Sequence, residues 1–132
     1  MTTEILILLL AFQIKHLIAD YYLQTPYMYE NKGQPTGWMW PLFDHVLVHI
    51  AGTTMILATY VVYKSTEETY MPLFLVMLFA IIFDFTTHFI TDRIKAIQPE
   101  GPDTKKFWTN LGWDQLIHHS VGIIIIFYIT YV

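Results

Sequence analysis

The run MPLFLVMLFAIIFDFTTHFITDRIK, residues 71 to 95, decides the fold. Its first half is apolar and carries no charge, while its second half sets Asp84, His88 and Asp92 at intervals of four. That interval returns side chains to one helical face, one turn apart. A helix needs roughly 20 mostly apolar residues to cross the hydrocarbon of a bilayer, and the span predicted here covers 72–97. The run therefore reads as a membrane helix with a polar stripe buried at one depth.

Three further apolar runs flank it. The first span is predicted over 4–23, closed by Gln24-Thr25-Pro26. The second covers 41–63, with Pro41 acceptable at a helix start, and the fourth runs from Gly112 to Val132. Polar turns at 64–69 and at Gln98-Pro99-Glu100-Gly101-Pro102-Asp103 separate them. Of 132 residues, 55% are hydrophobic and 14% charged, against about 25% charged in a soluble domain. The expected fold is all-α, a single membrane domain over 1–132 built as an antiparallel bundle of four transmembrane helices. Glu4 stands where a cleaved signal would carry Lys or Arg, so the first run reads as a permanent span. The chain has no cysteine, which excludes disulfides and thiolate ligation. The net charge of −4 carries no basic footprint for a nucleic-acid partner.

With four spans, both termini share one side and the first and third loops the other. Lys32, Arg93, Lys95, Lys105 and Lys106 gather on the loop side, whereas Lys64 lies opposite. The positive-inside rule places those loops in the cytoplasm and both termini outside an inner (plasma) membrane. Trp38, Trp40, Trp108 and Trp113 fall at the same loop side, as an interfacial belt would.

All the histidines lie within spans. The first span carries His16 and Asp20, and the second carries His45 and His49 beside Asp44. The third carries His88 and Asp92, the fourth Asp114 and His118. At about 1.5 Å per residue, Asp20, Asp44, Asp92 and Asp114 sit roughly 3–6 Å inside the cytoplasmic boundary, and His16, His49, His88 and His118 roughly 9–12 Å inside it. The order is His then Asp on helices approaching that face and the reverse on helices leaving it. Antiparallel helices need this inversion to bring like residues level. His16 and Asp20 also recur 72 positions later as His88 and Asp92, and Asp44 recurs 70 later as Asp114, which reads as a duplicated helical hairpin.

A charge at membrane depth costs about 2.5–3.5 kcal/mol even on the gentler scales, so these groups must face one another. Any one of them alone reads as hydrogen-bonding glue between helices. The set reads as a metal site with His16, Asp20, His45, His49, His88, Asp92, Asp114 and His118 as candidate ligands. Imidazole and carboxylate without sulfur suit a divalent ion, zinc first and manganese or iron next, in the layout of di-metal carboxylate bundles. Asp44 and His49 share a face less well than His45 and His49, so one of these three stands behind the ligands. Asp84 is a turn deeper and orients a ligand. His119 points away from His118 and reads as interfacial. Gln24 is either a site residue or a helix-end polar group. Lys95 and its basic neighbours read as a phosphate clamp or as attraction to anionic lipid, and Lys15 either reaches the cluster or snorkels.

The stretch His16-Leu-Ile-Ala-Asp20-Tyr-Tyr-Leu-Gln24, then Asn31-Lys32 and His45-Val-Leu-Val-His49, resembles the opening half of the prokaryotic and phage membrane family called domain of unknown function 3307. His88-Phe-Ile-Thr-Asp92-Arg-Ile-Lys95 and Asp114-Gln115-Leu-Ile-His118 resemble its closing half. The resemblance covers nearly the whole chain and implies that His16, Asp20, Gln24, His49, His88, Asp92, Lys95, Asp114 and His118 are functional positions. The layout is also similar in style to small membrane proteins described as metal-dependent hydrolases. The expected function is thus metal-dependent hydrolysis of a lipid or lipid-like substrate at the cytoplasmic leaflet. Asp20 or Asp92 would act as general base, with Lys95 holding a phosphate or other anionic headgroup. Two alternatives stand beside it. One is a non-enzymatic membrane module, of phage or bacterial origin, that binds a host membrane protein, with the His/Asp cluster as structural glue; a second copy of the chain is the other expected protein partner. The other is an ion or proton pathway.

Overall fold

The computed structural model describes residues 2–132; the single-domain expectation also takes in position 1, which lies outside the described residues. Five helices and no strand occur among the described residues: α1 (Thr2–Tyr21), α2 (Pro26–Asn31), α3 (Met39–Lys64), α4 (Tyr70–Ala96) and α5 (Lys105–Tyr131). The four long helices close into a ring, α1 against α3, α3 against α4, α4 against α5 and α5 back against α1. The short α2 packs on α3.

Each inward stripe follows the helical period and changes character along its length. On α4 it runs Leu73, Met77, Ala80, then Asp84, His88, Asp92. On α5 it runs in the opposite order, Asp114 and His118 followed by Val121, Ile125 and Ile129. The bundle therefore has two cores end to end. One is apolar, built by Leu8, Phe12, Leu57, Val61, Met77, Ile125 and Ile129 among others; the other is polar and equally buried. At the apolar end Lys64 Nζ donates to Glu4 Oε1 at 2.8 Å, joining the start of α1 to the end of α3. The outer faces are apolar as well, with Leu6, Leu10, Phe79, Ile82 and Phe127 more than half exposed.

By length and composition two helices, α3 and α4, are apolar enough to cross a membrane, against the four spans expected from sequence. Glu4, Lys15 and Asp20 interrupt α1, and α5 opens on Lys105 and Lys106 and carries Asp114 and two histidines. The boundaries also shift. The helix expected from Gly112 begins at Lys105, because Thr104 caps it, its hydroxyl accepting from the Phe107 N–H at 3.2 Å. The first loop is not wholly irregular: Pro26, with its fixed φ, opens α2. Between α3 and α4, Thr66 and Thr69 close the turn by exchanging backbone-to-hydroxyl bonds of 2.9 and 3.3 Å.

Candidate metal centre

All eight candidate ligands converge in the polar core. His45, His49 and His88 are at most 2% exposed, and Asp20 is the most open of the eight, its side chain 18% exposed. The imidazoles of His16, His49, His88 and His118 pack on one another, with ring centroids 4.1 Å apart for His88–His118, 4.4 Å for His49–His88 and 5.2 Å for His16–His49. The carboxylates bridge helices toward the loop end. Asp20 Oδ1 is 3.0 Å from His49 Nε2, and Asp20 Oδ2 is 3.1 Å from His16 Nε2. Asp92 Oδ1 is 3.2 Å from His118 Nε2, and Asp92 Oδ2 is 2.9 Å from His45 Nε2. Asp114 Oδ1 lies 3.4 Å from His118 Nε2.

Three groups of donors lie close enough to share an ion: His16, His49 and His88; Asp20, His45 and His49; and Asp92, Asp114 and His118, each with its ligand atoms within 4.8 Å of one another. His88 shows what such a site requires. Its Nδ1 stands 2.8 Å from Asp84 Oδ1, while its Nε2, fully buried, has no hydrogen-bond partner. Donation from Nδ1–H to the carboxylate fixes the tautomer and leaves the Nε2 lone pair free, the arrangement by which a carboxylate prepares a histidine for a metal. Asp84 is held in turn by the Thr53 hydroxyl at 2.5 Å and by Lys15 Nζ at 3.7 Å. A void of about 10 Å³ lies among Lys15, His16, Asp84 and His118, room for about one water. The donors are nitrogen and oxygen throughout and fit a divalent ion of the zinc, manganese or iron type.

The structure also redistributes several residues. Asp44 is half-buried and joins none of the three groups; His45 takes the level expected for it, because α3 turns His45 and His49 inward together. His45 and His49 precede Asp114 and His118 by 69 positions, and each pair faces the polar core. The two bridging contacts match, His49 to Asp20 and His118 to Asp92. His119, expected to be interfacial, packs its half-buried ring 5.1 Å from that of His16. Lys15 is buried and reaches Asp84 and Thr53 rather than snorkelling, and it donates to Thr53 Oγ1 at 3.1 Å. Its stem passes Gly52, where a Cβ would meet Lys15 Cγ at 2.5 Å.

Sequence reasoning missed Thr53 and Gln115. Thr53 stands four residues after His49 on the same face, a signal that was present. Gln115 Oε1 lies 3.1 Å from His16 Nε2, and Gln115 Nε2 donates to Asp114 Oδ2 at 3.1 Å; its place one position after Asp114 hides it from a strict four-residue rule. Lys95 donates to Asp114 Oδ2 at 2.9 Å. Gln24, with its amide turned to suit its neighbours, accepts from Lys32 Nζ at 2.9 Å and donates to the Asp20 carbonyl at 3.2 Å. Lys32 is buried above Asp92, 3.8 Å from Oδ2. Burial pushes its ammonium below the usual lysine value, against the pull of Asp92.

A cavity of about 400 Å³ opens at this end, lined by Gln24, Tyr29, Lys32, Lys95, Gln98 and Asn110 among others. Its wall includes Glu100, which Lys106 pairs with and holds below the usual carboxylate value.

No curated protein and no solved structure matches this chain. The family model described as "Protein of unknown function (DUF3307)" matches residues 5–132, a stretch that holds every residue of the polar core, and the chain belongs to that family.

Proposed function

We propose that this chain is a four-span protein of the inner (plasma) membrane and a metal-dependent hydrolase acting on a lipid or lipid-like substrate from the cytoplasmic side. Four antiparallel helices with apolar outer faces suit a lipid surround. Twenty to 27 residues each make them about 30–40 Å long, enough for a hydrocarbon core of about 30 Å. The gathering of Arg93, Lys95, Lys105, Lys106 and the tryptophans at the polar-core end favours, by the positive-inside rule, a cytoplasmic position for that end with both termini outside. The matched bridging contacts favour a duplicated hairpin, with α1–α3 corresponding to α4–α5.

The observation that carries the metal reading is the unpartnered Nε2 of buried His88, its tautomer set by Asp84. An unpaired buried nitrogen costs about 1–3 kcal/mol, and a bound ion removes that cost. When bound, a divalent metal lowers the pKa of its water toward about 7 and supplies a nucleophile at neutral pH. Asp20, the most open carboxylate of the cluster, is placed to take the proton, with Asp92 the other candidate base. Lys95 and Gln24 stand at the mouth, where a substrate's polar group arrives.

A second reading also has an observation behind it. Asp20 pairs with three histidines and Asp92 with two, as they would in a network that only locks the helices of a membrane module binding a host protein. The ion-pathway alternative is weakened by the apolar core, where Leu57 and Ile129 are 0% exposed and close the far half of the bundle. Elemental analysis of detergent-purified protein separates the first two readings. Stoichiometric zinc, manganese or iron that is lost in His88→Ala supports the metal centre. A folded, metal-free protein overturns it in favour of the locking network.

A further inference from the structure

Lys32 and Lys95 are not ordinary surface lysines. Each meets a carboxylate of the same donor group, Lys95 with Asp114 and Lys32 with Asp92. The segment carrying Lys32 is pinned onto α4: Arg93 Nη1 donates to the Lys32 carbonyl at 2.7 Å, and the guanidinium lies 4.1 Å from the Trp38 ring centroid. A Cβ at Gly33 would collide with the Ala96 carbonyl oxygen, so the two backbones meet directly. The ammonium of Lys32 is thereby held over the acid layer and at the wall of the 400 Å³ cavity.

Charge counting gives these lysines a second role. Counted with neutral histidines, the form a metal requires, the polar core and its rim hold Asp20, Asp84, Asp92, Asp114 and Glu100 against Lys15, Lys32, Lys95 and Lys106, a balance of one negative charge. A divalent ion bound in this core reverses that sign, and one held by Asp92, Asp114 and His118, the donor group that adjoins that of His88, takes from Lys32 and Lys95 the charge they now face. Excess charge in a poorly solvated site is costly, and the excess lies where the cavity opens. Lysines bind phosphate as point charges, and Tyr29, Gln98 and Asn110 add donors around the same space.

Resting on the metal reading, we infer that metal loading turns the Lys32/Lys95 cavity into a binding site for a phosphoryl group, with metal and anion binding each other's partner state more tightly. A phosphorylated lipid headgroup and a free phosphate share this chemistry. The substrate class of the site is accordingly a phosphate ester.

The test uses full-length protein in a zwitterionic detergent. Metal content is measured first, then equilibrium dialysis is run with micromolar radiolabelled inorganic phosphate on metal-loaded and chelator-stripped samples. Loading is expected to tighten phosphate binding by roughly 5–150-fold, the usual span of a coupling between two sites. Lys95→Gln, at a side chain 31% exposed, and Lys32→Gln are expected to lose most of that gain while keeping their metal content and helical circular dichroism. If Lys32→Gln does not fold, Lys95→Gln carries the test alone. Displacement of the label by short-chain phosphatidate supports a lipid headgroup, and indifference to it supports a soluble phosphate. Stoichiometric metal with no phosphate binding, equal affinity in both samples, or full binding in Lys95→Gln overturns the inference and leaves the metal centre standing. Absence of metal overturns both.

Discussion

Asp84→Asn separates the two duties of one carboxylate. Asp84 is 2% exposed and faces His88 on one side and Lys15 on the other. At 3.7 Å, its pairing with Lys15 corresponds to about 4–5 kcal/mol at an effective dielectric constant of about 20. Breaking a buried pair by removing one partner costs about 3–5 kcal/mol. The variant should therefore unfold at markedly lower temperature in detergent, followed by circular dichroism. Its metal affinity should fall about 10–100-fold, as when a carboxylate behind a metal-bound histidine is removed. The double variant Lys15→Met, Asp84→Asn distinguishes the two effects. With both charges gone, most of the stability should return, since a buried pair is often replaced by neutral groups at little cost. The metal affinity should not return, because an amide does not hold the His88 Nδ1–H as a carboxylate does. Competition with a chromogenic chelator measures the affinity. Wild-type affinity in Asp84→Asn, or full recovery in the double variant, would refute the assignment of Asp84 as the group that positions His88.

Two further outcomes follow from the packing. Gly33→Ala forces a methyl into the Ala96 carbonyl and should cost about 1–3 kcal/mol, the usual price of overpacking; an unchanged melting temperature would mean that the Lys32 segment is not pinned on α4. Because the chain has no cysteine, Glu67→Cys and Asp103→Cys report topology without background. An impermeant maleimide applied to intact spheroplasts should label the first and spare the second, and labelling of both would sink the four-span arrangement.

Much of the polar core was legible before any coordinates. Helical periodicity places residues four apart on one face whatever surrounds them, so His16/Asp20, His45/His49, His88/Asp92 and Asp114/His118 could be paired from their spacing. The reversal of order between successive helices placed like residues at like depth, and the ring contacts among His16, His49, His88 and His118 agree with it. A helical period, however, gives only relative angles along one helix. It does not give the rotation of that helix against its neighbours, and this is why Asp44 rather than His45 was set at the acid level.

Sequence by itself determined that the chain is helical, that its charges are few and placed in register, and that imidazole and carboxylate share one end of the bundle. These follow from local backbone geometry and from the cost of burying an unpaired charge. Tertiary structure alone decided where the long side chains end. Lys15 crosses the ring to Asp84, Lys32 folds under its own loop to Asp92, and His119 leans onto His16. A flexible side chain settles on the partner that packing brings within reach, and that partner lies on another helix.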